Sequence, residues 1–213
     1  MRATNVINRH IININCRIIT LTAGAVAALA YGQSFVRADV AWNEGVHGDL
    51  SNDRLNPTVI TVGLGVNSIL ATSVSGDREY FTMTLAPGWK LEQIFLASYA
   101  SVDLTAFIGV QNGTVFTEPP TGTNVANLLG WAHFGPGVNT VGTDILDNMG
   151  VGNGAIGFTP PLPAGSYTFW SQQTGTNAAT YRFGSRVGAI RGDETPRRRN
   201  RCRSGRSARQ HPT

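Results

Sequence analysis

Between residues 57 and 183 the apolar positions fall into short runs, rich in β-branched and aromatic side chains and broken by Gly, Pro, Asn and Asp. This pattern predicts strands rather than helices. The runs are 59–64, 68–74, 80–85, 91–99, 105–111, 114–117, 128–134, 155–159, 166–173 and 179–183. In one of them Phe81, Met83 and Leu85 alternate with Tyr80, Thr82 and Thr84, which predicts one buried and one wet face. Turn signals separate the runs at Ser75-Gly76-Asp77, Ala86-Pro87-Gly88 and Pro163-Ala164-Gly165, and Asn112-Gly113 is a strong hairpin dipeptide. Helical periodicity is limited to a short turn at 143–149, and the glycine-rich stretch 135–154 and the segment 118–124 read as long surface loops. The prediction is a single all-β domain, an antiparallel two-sheet β-sandwich of jelly-roll type. Phe81, from the alternating strand, and Phe107, from the apolar run Ala106-Phe107-Ile108, are placed in its core on opposite sheets.

Charge divides the chain into three parts. The formal net charge of +4 describes none of them. Residues 1–38 hold four arginines and no acid, residues 39–183 hold eleven acids against four bases, and residues 184–213 hold nine arginines against two acids. An acidic domain between a basic leader and a basic tail is not a nucleic-acid-binding protein as a whole. In the leader, the uncharged run 18–30 follows Arg17, and small-residue sites end at Ala30 and Ala38. This is the pattern of an export signal, with cleavage after Ala38. The same run would also suit a buried core helix, although the arginine flank and small-residue sites favour export. At about 1.5 Å per residue the run is too short for roughly 30 Å of hydrocarbon, so no stable membrane span is expected once the signal is removed. Cys16 and Cys202 both fall outside 39–183, so the domain holds itself together without disulfides.

No catalytic motif is present: there is no nucleophile elbow, no zinc-protease His pair and no phosphate loop, and His47 and His133 stand alone. An enzyme is therefore not the reading. The chemistry that the residues do suggest is calcium binding. Asp49, Ser51 and Asp53 place oxygens at alternating positions of a loop, and Asp77 and Glu79 add carboxylates if that segment folds across the turn at Gly76. The competing reading of the loop is Asx-turn chemistry. Asp144, Asp147 and Asn153 form a weaker cluster. Trp42, Trp89, Trp131, Trp170, Tyr99 and Tyr167 would suit stacking on sugars where exposed. Trp131 and Trp170 lie within strands and read as core, whereas Trp89, in a Pro-Gly-Trp-Lys turn, is the candidate ligand-binding residue.

The stretches 67–82 (NSILATSVSGDREYFT), 101–113 (SVDLTAFIGVQNG), 128–134 (LLGWAHF) and 162–175 (LPAGSYTFWSQQTG) resemble exported bacterial β-sandwich proteins of the PEP-CTERM-associated type. Over residues 42–183 the chain is similar to the bacterial pre-peptidase C-terminal domain. The resemblance implies a secreted or cell-surface structural or binding module, located extracellularly or in the periplasm, with extracellular polysaccharide or cell-envelope components as partners. The alternative is a calcium-dependent carbohydrate-binding or enzyme-accessory domain. The tail departs from the family, because no Pro-Glu-Pro and apolar anchor follow Phe183. Residues 184–213 read either as a disordered, out-of-frame ending or as a basic arm for an anionic polymer.

Overall fold

A computed structural model of the chain describes residues 39–190. The export signal expected over residues 1–38, Cys16, Cys202 and the tail beyond Ile190 lie outside the described residues. Among the described residues nine strands form two sheets: β1 (Asp39–Asn43), β2 (Thr58–Ile60), β3 (Gly65–Ser73), β4 (Arg78–Leu85), β5 (Trp89–Ala100), β6 (Ala106–Asn112), β7 (Gly130–Phe134), β8 (Gly165–Gln173) and β9 (Ala179–Ala189). One sheet has the order β1-β3-β9-β5 and the other β2-β4-β8-β6-β7. From β3 onward the chain crosses between the sheets as a jelly roll does, and β5, the last strand of its sheet, carries beyond β9 only isolated bridges, Phe95 with Asp144 and Leu91 with Leu162. The protein is thus an all-β two-sheet sandwich. No helix among the described residues is long and apolar enough to cross a membrane.

The sheets are mixed rather than wholly antiparallel. The pairs β1–β3 and β2–β4 run parallel. The cause is the path of the chain: β1 and β3 share a sheet but are separated by β2 on the other, so no tight hairpin sets their direction. Several further expectations change for local reasons. Runs 114–117 and 155–159 form no strand, and Asn112-Gly113 makes no hairpin. Gly113, at φ 104°, carries the chain off β6, and the next strand to pair with β6 is β7. In the 135–154 stretch the short turn expected at 143–149 does form, as the helix α2 (Ile145–Gly150), but it buries Ile145, Leu146 and Met149 instead of lying in a surface loop. Tyr80 and Thr82, expected to be wet, are buried, because the segment after β6 folds over the outer face of the second sheet and brings Phe116 and Leu128 onto Tyr80 and Trp170.

Between the sheets lies the main core. Phe81 stacks on Phe169 (centroids 5.2 Å apart), and Phe134 meets Tyr181 and Phe183 at 5.2 and 4.9 Å. Phe81 is in this core as expected. Phe107 is not: it belongs to the same sheet as Phe81 and lies half-buried on the outer face against Trp131 and Trp170, while Ala106 and Ile108 point inward. A continuous apolar run conceals which face each residue takes.

The domain does not end at Phe183. β9 is a central strand, and its pairing continues beyond Phe183, to Val187 against β3 and to Ala189 against β5. Tyr181, Phe183, Ser185 and Val187 form its buried inward row, and Val187 is 2 % exposed. A chain ending after Phe183 should therefore be less stable than one ending after Ile190 by more than about 3 kcal/mol, from lost apolar burial and ladder hydrogen bonds. Chemical denaturation of the two chains checks this, and equal midpoints would show that the 184–189 pairing contributes nothing.

Candidate metal centre

The candidate site lies at one end of the sandwich, where the 43–53 segment crosses the β3–β4 turn. Asn43 caps a one-turn helix, α1 (Glu44–His47), its side chain accepting from the Gly45 N–H at 3.0 Å. Gly48, at φ 87°, closes the turn. Glu44 then reaches across to β3, where its Oε2 accepts from the Thr72 N–H at 2.6 Å, and its Oε1 accepts from the Leu50 N–H at 3.4 Å. Leu50 is buried in the core and holds Asp49 beside it in place. Asn52 secures the crossing. It donates to Asp77 Oδ1 at 2.7 Å and accepts from the Arg78 N–H at 2.7 Å. The Tyr80 N–H donates to Ser51 O at 2.9 Å.

This folding brings Asp49 and Glu79 together, as the sequence suggested, and adds Glu44, with Asp77 near enough for its charge to act on both Asp49 and Glu79. Carboxylate oxygens of Glu44, Asp49 and Glu79 lie within 4.8 Å of one another. Ser51 and Asp53 do not join them. They form a local turn instead: the Asp53 N–H donates to Ser51 Oγ (3.0 Å) and the Leu55 N–H to Asp53 Oδ1 (2.9 Å). Of the two readings of this loop, turn chemistry accounts for Ser51 and Asp53. Glu44 carries no motif that marks it in the sequence; what brings it in is the helical turn and its reach to β3.

Glu79 is the unusual member. It occupies the inward row of β4 with Phe81, Met83 and Leu85, and is fully buried. Neither of its carboxylate oxygens meets a hydrogen-bond donor. A neighbour near enough to share a proton with it is a second acid, Asp77. Burial first, and then the charges of Glu44, Asp77 and Asp49, push its pKa up to about 10. Burial raises Glu44 as well, opposed by its two backbone donors, and burial followed by Asp77 raises Asp49. No base offsets this charge: the ion pair among the described residues is Lys90–Glu92, at 3.0 Å.

Four acids without a counter-ion, one of them buried and unbonded, are unfavourable as bare carboxylates. Two states relieve the strain: a proton on Glu79, or a cation. The donors are all oxygens. His47 is occupied elsewhere, stacked on Trp42 at 4.9 Å with Nδ1 accepting from the Asn43 N–H. Such a set fits a hard cation that takes six to eight oxygens at roughly 2.3–2.6 Å, with water completing the shell.

The remaining candidates are dispersed. Trp89 is partly exposed, as expected, and packs on the edge of the core. Of the weaker cluster, Asp144, which caps α2 by accepting from the Leu146 N–H, lines one cavity with Asp147, while Asn153 lies apart, its carbonyl accepting from Trp131 Nε1. Trp170 is 3 % exposed, in keeping with a core role, but in the second, outer cluster. No protein-family model, curated protein or solved structure matches this chain.

The acids set a pH dependence whose sign follows from their direction. Glu79 has a higher pKa folded than its ordinary 4.5, so the cation-free protein binds more protons folded than unfolded between these values. Its contribution to stability is fully present at low pH and is lost as pH rises through about 10. In the presence of a chelator the melting midpoint should therefore fall steadily from pH 5 to pH 9, with Glu79 alone supplying up to about 1.4 kcal/mol per pH unit. A midpoint that is flat or rises over this range would contradict the buried, unpaired carboxyl.

Proposed function

We propose that this chain is an exported, non-catalytic β-sandwich module of the cell surface or extracellular space, in which a calcium ion staples the 43–53 segment to the β3–β4 turn. The observation that carries the reading is Glu79, a fully buried carboxyl whose two oxygens have no donor and face other acids. Extracellular modules bind calcium with dissociation constants of roughly 10⁻⁴–10⁻³ M, a range that a partly exposed, four-acid site can reach. Export is supported by the leader pattern of residues 1–38, and the module class by the resemblance to PEP-CTERM-associated and pre-peptidase C-terminal domains. Extracellular polysaccharide or cell-envelope components are the partners this reading implies. The basic residues beyond β9 are excluded from it.

Thermal melts of the protein in calcium and in chelator at pH 7.5 test the proposal. Calcium at a hundredfold excess over its dissociation constant should add about 2.7 kcal/mol, or roughly 5–10 °C in midpoint. Magnesium should do less, because it demands a tighter octahedral shell. Glu79→Gln should abolish the calcium response and melt in chelator at or above the parent, since the amide is neutral folded and unfolded, whereas the parent carboxyl must take up a proton on folding. An unchanged midpoint at about 100 mM calcium, a hundredfold above the weaker end of that range, or a full response in the Gln variant, would overturn the reading.

A further inference from the structure

The outer face of the second sheet carries a cavity remote in character from the acidic site. It measures about 170 Å³ and has walls from β6, β7, β8 and the turn that covers them. Phe107, Trp170, Leu128 and Val125 supply apolar surface, with the Phe107 and Trp170 rings edge to face at 4.8 Å. That volume is close to the roughly 150 Å³ that admits a single six-membered ring. None of the four cluster acids lines it, and no lining residue is an acid, Lys or Arg. The occupant it suits is therefore uncharged.

The polar groups around this surface narrow the choice. His133 Nδ1 lies 3.3 Å from Ala106 O; with the proton there, Nε2 is left as a free acceptor. The Gln172 side chain lines the cavity and has no hydrogen bond among the described residues, so it offers both a donor and an acceptor. The lining hydroxyl Thr174 Oγ1 donates to Thr105 O and keeps its lone pairs for a ligand. An apolar ring would satisfy the walls alone. A saturated six-membered ring with hydroxyls around its rim would satisfy both, its C–H face on the aromatics and its hydroxyls on Gln172 and His133.

We propose that this cavity binds one uncharged pyranose ring of a polysaccharide. The inference rests on the binding-module reading for the kind of partner, but not on the cation, so the two can fail separately. The test is a titration of the full chain in excess calcium, followed by tryptophan fluorescence, with the methyl glycosides of glucose, galactose and mannose, with methyl glucuronide, and with indole as an apolar ring. A melt in the same buffer establishes that the protein is folded. At least one neutral glycoside should bind saturably in the millimolar range, ahead of methyl glucuronide and indole. Gln172→Ala should weaken it about tenfold without moving the melt, and Phe107→Ala should weaken it as well. The proposal is overturned if no neutral glycoside saturates below about 100 mM, if indole or the glucuronide binds best, or if both variants bind like the parent. A calcium-independent melt together with sugar binding would remove the cation staple and leave this site standing.

Discussion

The structure turns on a carboxyl placed where the strand pattern calls for an apolar side chain. Period-two alternation commits Glu79 to the same inward row as Phe81, Met83 and Leu85. Removing it from that row would require shifting β4 by one residue, which would expose three core side chains. The charge must therefore be accommodated where it stands. The surrounding elements do this by closing one end of the sandwich with other oxygen donors rather than with a base.

This constraint accounts for features at that end that otherwise have no common cause. The one-turn helix α1 buries no residue of its own. Its role is to place Glu44, which binds the Thr72 amide of β3 while facing Glu79. Asn52 makes two hydrogen bonds to the β3–β4 turn, and Ser51 adds a backbone bridge to Tyr80, so the 43–53 segment is held by polar contacts around the acids and by Leu50 in the core. The next residue along β4, Tyr80, points the other way and stacks on Trp170 at 5.9 Å. The acidic centre and the outer aromatic cluster are thus successive residues of one strand facing opposite sides of a sheet.

Much of this was legible in the sequence where a residue's local pattern decides its place. Phe81 follows from clean alternation, and the meeting of Asp49, Asp77 and Glu79 follows from oxygen-rich segments flanking a Gly turn. Glu44 was not legible, because its position depends on a reach between a helical turn and a distant strand. Ser51 and Asp53 carry the same signal for a turn as for a cation, and short-range hydrogen bonding decided between them. The end of the domain was misplaced for a different reason. Beyond Phe183 composition turns basic and small, yet Ser185 and Val187 continue the inward row, and in a central strand pairing on both sides outweighs composition. The parallel edges and the covering of Tyr80 depend on chain path, which periodicity does not encode.

The central claim is that Glu79 holds a proton in the cation-free protein and yields it to calcium. Calorimetry of calcium binding near pH 7, repeated in buffers of different ionisation enthalpy, counts the protons released. The account predicts binding accompanied by release of about one proton per calcium, lost in Glu79→Gln. Binding with no proton released, or no binding at all, would contradict it.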